Sequence, residues 1–148
     1  GPGAIVAADL NGDGKPDLTS ACLIGKSLSV LYNQGGGIFG AHSDLATGRA
    51  TGVAAGDING DGKPDLVSAN FYEDSLSVLL NQGGMKFAPR MDLVSGKTPN
   101  DVRIADLTGV RPRPIRPFKG NIENALSATS GVSQRTIVID PTNPSPVM

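Results

Sequence analysis

The chain has no tryptophan, a single cysteine, a single histidine and only six aromatic residues in 148. Each scarcity removes a class of function. Without Trp, and with four Phe and two Tyr, there is little material for an aromatic platform that stacks nucleic-acid bases or sugars. One cysteine, Cys22, excludes an internal disulfide. Its neighbours Ala21, Leu23 and Ile24 mark it as a small buried hydrophobe rather than a reactive thiol. The lone His42 lies in the polar stretch Ala41-His-Ser-Asp44 and reads as a surface loop residue, not a catalytic base. No nucleophile elbow, phosphate loop or zinc ligand set is present, so the chain is not expected to be an enzyme. The formal net charge of −1 gives no whole-chain field to attract nucleic acid or an anionic membrane. No apolar run approaches the roughly 18 residues that span a bilayer.

Glycine is plentiful, at 20 residues, and it clusters with Asn and Asp. The segment Asp9-Leu-Asn-Gly-Asp-Gly-Lys-Pro-Asp17 returns as Asp57-Ile-Asn-Gly-Asp-Gly-Lys-Pro-Asp65. The spacing places a side-chain oxygen at positions 1, 3, 5 and 9 and a carbonyl at position 7, which is how a tight loop holds calcium. Gly14 and Gly62 at position 6 permit the sharp turn. The candidate ligands are the side chains of Asp9, Asn11, Asp13 and Asp17 with the main-chain oxygen of Lys15. In the second loop they are Asp57, Asn59, Asp61 and Asp65 with Lys63. Two Ca²⁺ sites are therefore expected. Six of the fourteen acids fall in these two loops, and a divalent cation removes the repulsion among them. A plain polar turn would use the same residue types, but two copies in one register favour the metal. The loops are not EF-hands: position 12, where a bidentate Glu belongs, is Ser20 or Ser68.

The repeat extends beyond the loop. Offset by 48 residues stand Leu28-Ser-Val-Leu31 and Leu76-Ser-Val-Leu79, Asn33-Gln-Gly-Gly36 and Asn81-Gln-Gly-Gly84, Phe39 and Phe87, and Gly48 and Gly96. Short β-branched or alternating runs bounded by turn residues read as strands. The second copy is expected to hold four, over 52–55, 65–70, 75–80 and 86–93. Four strands per 40–50 residues is the pattern of a propeller blade. The fold class is all-β: two four-stranded blades and a degenerate third, a partial propeller completed by oligomerisation or belonging to a larger one.

These residues resemble the FG-GAP or VCBS repeats of β-propellers, found in integrin α-subunit heads, lectins and many secreted bacterial proteins. The matching elements are Val53-Ala-Ala-Gly-Asp-Ile-Asn-Gly-Asp-Gly-Lys-Pro-Asp-Leu-Val-Ser-Ala-Asn70, then Leu76-Ser-Val-Leu-Leu-Asn-Gln-Gly-Gly84, then a Phe-centred strand. Phe39-Gly40 supplies the Phe-Gly of the family name, and Phe87-Ala-Pro89 is a weakened version. The resemblance covers about residues 3–107. It implies structural calcium within the blade and recognition by other surfaces.

The domain reading follows: 1–2 the scar of a cleaved tag, 3–51 the first blade, 52–100 the second, 101–110 the start of a third and 111–148 a connector and capping tail. The third copy begins at Val102-Arg-Ile-Ala-Asp106, one residue out of phase, then has Val110 and Pro114 where ligands belong. Loss of that blade's metal, a shifted reading frame or an artificial junction each account for it. The basic, proline-rich stretch from Arg111 reads as a solvated connector. A short helix is expected around 122–126. A strand is expected over 135–140, where it would cap a blade edge. The expected function is a calcium-binding interaction or adhesion scaffold, extracellular or at the cell surface. Partners would be protein or glycan, with homo-oligomerisation and no role for nucleic acid or a membrane span. The alternatives are a lectin and a non-catalytic propeller segment of a larger secreted enzyme.

Overall fold

The computed structural model describes residues 1–105, 126–127 and 136–139. The strands form two equivalent four-stranded sheets. In the first, β1 (Pro2–Ala8), β2 (Asp17–Cys22), β3 (Ser27–Leu31) and β6 (Ser43–Ala46) lie in the order β1-β2-β3-β6, all antiparallel. A small ribbon of β4 (Asn33–Gly35) and β5 (Ile38–Phe39) projects between β3 and β6. The second sheet repeats the plan. It holds β7 (Ala50–Gly56), β8 (Asp65–Asn70), β9 (Ser75–Leu79) and β12 (Met91–Val94), with a ribbon of β10 (Asn81–Gly83) and β11 (Lys86–Phe87). The register repeats as well: Leu18 faces Leu31 as Leu66 faces Leu79.

One boundary differs from the sequence expectation. The run 86–93 is not a single strand. Lys86 and Phe87 turn back to pair with β10, and only Met91–Val94 joins the sheet as its outer strand. The Asn-Gln-Gly-Gly turn closes the ribbon first, with Gly83, Gly84 and Met85 all at positive φ. Pro89 has no amide to continue a ladder.

The third element is a sheet in the order β13-β15-β14, from β13 (Asp101–Ile104), β14 (Leu126–Ser127) and β15 (Thr136–Ile139). The strand expected over 135–140 is present as β15, the middle strand of this sheet. It pairs with β13 in parallel, where the two complete sheets have an antiparallel neighbour. The helix expected around 122–126 lies outside the described residues except for Leu126, which opens β14. The degenerate third loop, from Asp106 onward, also lies outside them.

Packing follows from the period-2 alternation of strands. Each sheet has a trailing face, turned towards the next sheet in sequence, and a leading face on the other side. Ala21, Leu28 and Val30 on the first sheet's trailing face meet Val53, Leu66 and Leu79 on the second sheet's leading face. The second sheet's trailing face, with Val67, Ala69, Leu76 and Val78, packs on Val102 and Ile104 of β13. β8 is consequently buried at all six positions, on both faces. β7 and β13 approach one another closely at their starts. A Cβ on Gly52 would stand 2.8 Å from Asp101 Cα and 3.0 Å from Asn100 O, both main-chain atoms. Gly52→Ala therefore forces β13 away from β7, and urea unfolding should show a loss of about 1–3 kcal/mol. Gly96→Ala, where a Cβ meets nothing within 4 Å, is the control and should stay within about 0.5 kcal/mol.

Candidate metal loops

The two loops join the first and second strands of each sheet, β1 to β2 and β7 to β8. Both fold around the carboxylate that opens them. Asp9 Oδ1 accepts from the amides of Gly12 (2.7 Å) and Asp13 (3.1 Å), and Oδ2 from that of Gly14 (2.8 Å). Asp57 makes the same three bonds to Gly60, Asp61 and Gly62, at 2.7, 3.1 and 2.8 Å. Asn11 and Asn59 each accept from the amide two residues on, at 2.9 and 3.0 Å. These are Asx turns, the local bonding that Asp and Asn favour. Gly12, Gly14, Gly60 and Gly62 all have φ between +78° and +82°, which glycine adopts without a steric penalty.

Asp13 and Asp61 sit at the exposed lip. Asp13 Oδ2 pairs with Lys15 Nζ at 3.0 Å, and Asp61 Oδ2 with Lys63 Nζ at 2.8 Å. The bond from Lys15 holds the Asp13 carboxyl below its ordinary range. Burial pushes Asp61 upward, but its side-chain and backbone bonds from Lys63 outweigh this, and the net shift is downward.

Asp17 and Asp65 are placed differently. Both are fully buried at the start of the second strand. Asp17 accepts from the amides of Leu10 (2.9 Å) and Asn33 (2.8 Å), one on each oxygen. Asp65 accepts likewise from Ile58 (2.9 Å) and Asn81 (2.7 Å). These carboxylates pin the loop's second residue to the ribbon that follows the third strand. Burial raises the pKa of Asp65 against the opposing pull of the Asn81 and Ile58 amides.

Thus Asp9, Asn11 and Asp13 gather in the exposed turn, as Asp57, Asn59 and Asp61 do, and the position-9 carboxylates lie beneath. Among the described residues no three His, Cys, Asp or Glu side chains form a group placed to hold a metal. The donor chemistry still fits a hard cation, since every candidate is an oxygen. Each lip carboxylate already balances a positive charge, the ammonium of Lys15 or Lys63.

Asn81 is a site residue that ligand spacing did not single out. Its Nδ2 donates to Pro64 O (3.0 Å) in its own loop and to Leu10 O (2.9 Å) in the loop before, joining the two sheets. The repeated Asn-Gln-Gly was the available signal. A cleft of about 350 Å³ lies at this junction, lined by Asp9, Asn11, Lys63, Pro64 and Asn81 among others. His42 and Cys22 lie outside both loops, Cys22 at the far end of the strand that Asp17 opens. His42 is exposed, with Nε2 3.5 Å from Asp44 Oδ2. Cys22 is half-buried rather than buried, with Sγ 3.5 Å from Ser29 Oγ.

The FG-GAP-like repeat family model matches residues 9–68 and again 57–109. The chain belongs to the FG-GAP-like repeat family, and its two four-stranded antiparallel sheets are consistent with blades of an FG-GAP propeller. No curated protein and no solved structure matches it.

Proposed function

We propose that the chain is a calcium-stabilised interaction module of an extracellular or cell-surface protein, with a protein or glycan partner. The observation that carries this reading is the duplicated loop, whose hydrogen bonds agree between copies to within about 0.2 Å, as compared above. FG-GAP repeats often bind Ca²⁺ through Asp. Asp9, Asn11 and Asp13 with the Lys15 carbonyl would hold one ion, and Asp57, Asn59 and Asp61 with the Lys63 carbonyl the other. Asp17 and Asp65 complete the two sets. Lys15 and Lys63 would release their carboxylates to the incoming cation. Bound calcium supplies positive charge to a carboxylate-rich turn, which favours the folded state that assembles the ligands. The role is structural: the carboxylates serve the loop, and recognition falls to the surfaces the blades present.

The test is calcium-dependent stability. Loops of extracellular type bind at about 10⁻⁴–10⁻³ M. At about 2 mM calcium the two sites together should raise the unfolding free energy by about 1–4 kcal/mol. Asp13→Ala combined with Asp61→Ala should abolish that response. The melting curve is measured in calcium and again in excess chelator. A double variant that gains as much as the unmodified chain would sink the assignment.

A further inference from the structure

Each loop contains the dipeptide Asn-Gly, as Asn11-Gly12 and Asn59-Gly60, and nowhere else in the chain does Asn precede Gly. In this pair a main-chain amide reaches the side-chain amide before it most readily, because glycine puts no side chain in the way. The Gly nitrogen bonds to Asn Cγ, the Cγ–Nδ2 bond breaks, and ammonia leaves with the proton the Gly nitrogen gave up. Water then opens the cyclic imide. Opening at Cγ leaves aspartate. Opening at the main-chain carbonyl leaves isoaspartate, with an extra carbon in the main chain.

Attack requires the Gly amide to lose its proton, and in both loops that proton is engaged. Gly12 N donates to Asp9 Oδ1 and Gly60 N to Asp57 Oδ1, each at 2.7 Å. The carboxylate opposes the reaction twice. It holds the proton in a charge-assisted bond, and its negative charge disfavours an amide anion beside it. The group under attack is held as well. Asn11 Oδ1 accepts from Asp13 N at 2.9 Å and Asn59 Oδ1 from Asp61 N at 3.0 Å, which fixes each side chain in its turn. Water, the sole co-reactant, is at hand: Gly12 is exposed, and Asn11, Asn59 and Gly60 are half-buried.

We propose that Asn11 and Asn59 are sites of spontaneous conversion to aspartate and isoaspartate, and that Asp9 and Asp57 are the groups that restrain it. The opening aspartate of each loop thereby has a task separate from cation binding, which is to withhold the next glycine's amide from its own neighbour. Conversion is irreversible under these conditions, so each loop keeps a record of the time it has spent open. Both products add a carboxylate to a turn already rich in them. Isoaspartate also lengthens the main chain inside the turn that the Asp9 or Asp57 bonds close.

The test is run on the full chain in excess chelator, so its result does not depend on whether the loops hold calcium. The chain is incubated at neutral pH and digested. Conversion is read from the mass gain of each loop peptide and from isoaspartate content. Both sites are expected to convert at least roughly tenfold more slowly in the folded chain than in urea, since reaction then waits on local opening. Asp9→Ala should speed Asn11 several-fold and leave Asn59 unchanged, and Asp57→Ala should do the reverse. Asp9→Asn, which keeps an acceptor oxygen without the charge, should speed Asn11 by less. Equal rates in the folded and urea-unfolded chain would overturn the proposal. So would a folded Asp9→Ala chain in which Asn11 converts no faster than before. Should Asp9→Ala unfold the chain, Asn11 and Asn59 would speed up together, and Asp9→Asn then decides: an unchanged ratio of the two rates overturns the proposal.

Discussion

Asp65→Ala is expected to lower the unfolding free energy by about 2–5 kcal/mol in chelator. The side chain is fully buried, and its two oxygens accept from the amides of Ile58 and Asn81. Truncation leaves both donors without partners in a place water does not reach, at about 1–3 kcal/mol each. Removing a desolvated carboxylate, whose pKa burial has raised, offsets part of the loss. Asp65→Asn keeps one acceptor oxygen and should lose about half as much. The exposed Asp61→Ala, measured in chelator, should stay within about 0.5 kcal/mol. Urea unfolding at neutral pH separates the three. If Asp65→Ala and Asp61→Ala cost the same without metal, the buried carboxylate is not the anchor that its geometry indicates.

Leu66→Ala should cost about 2–5 kcal/mol, the range for removing a large aliphatic side chain from a closed core. Leu66 is fully buried in the cluster between the two blades, beside Leu28, Val30 and Leu79. Leu18→Ala changes the same residue at the same place in the repeat, yet should cost about 1 kcal/mol. Leu18 is half-buried, so truncation removes less apolar surface and leaves no sealed cavity. The two variants differ only in what stands opposite. Equal losses in urea would mean that the interface between blades contributes little to stability.

The local chemistry of the fold was legible in the sequence; its long-range assignments were less so. Asx turns and positive-φ glycines act over a few residues, so Asp9-Leu-Asn-Gly-Asp-Gly is recognisable as a carboxylate-centred loop without knowledge of anything else. The strands around it follow from alternation, and β8 and β9 sit where they were expected. The outer strand was misplaced because 86–93 contains two short pieces with opposite partners. Only the turn at Gly83-Gly84 and the missing amide of Pro89 show that Phe87 folds back before Met91 joins the sheet. The position-9 aspartates belong to the ligand spacing, but the spacing does not reveal that each also anchors an amide 16 residues away. The bond from Asn81 to Leu10 spans 71 residues. No local pattern reports a contact of that length. The exposure of Cys22 likewise depends on what covers its sheet, which alternation alone does not state.

The order of strands within each blade bears on how the chain is made. Every pairing inside a four-stranded sheet joins segments near in sequence, as β1 with β2, β2 with β3 and β3 with β6. Such contacts form early, since little loop entropy opposes them. As the ribosome adds residues from the N-terminus, the first sheet can therefore assemble while the second is still being translated. Its face bearing Leu28 and Val30 then has no cover until Leu66 and Leu79 emerge and β8 is laid down beside it. During that interval the nascent chain displays a greasy surface that any blade of the same pattern would fit. Synthesis in closely spaced polysomes would bring such surfaces together, and the chain's hazard during biogenesis is mispairing between nascent neighbours rather than slow closure of its own loops.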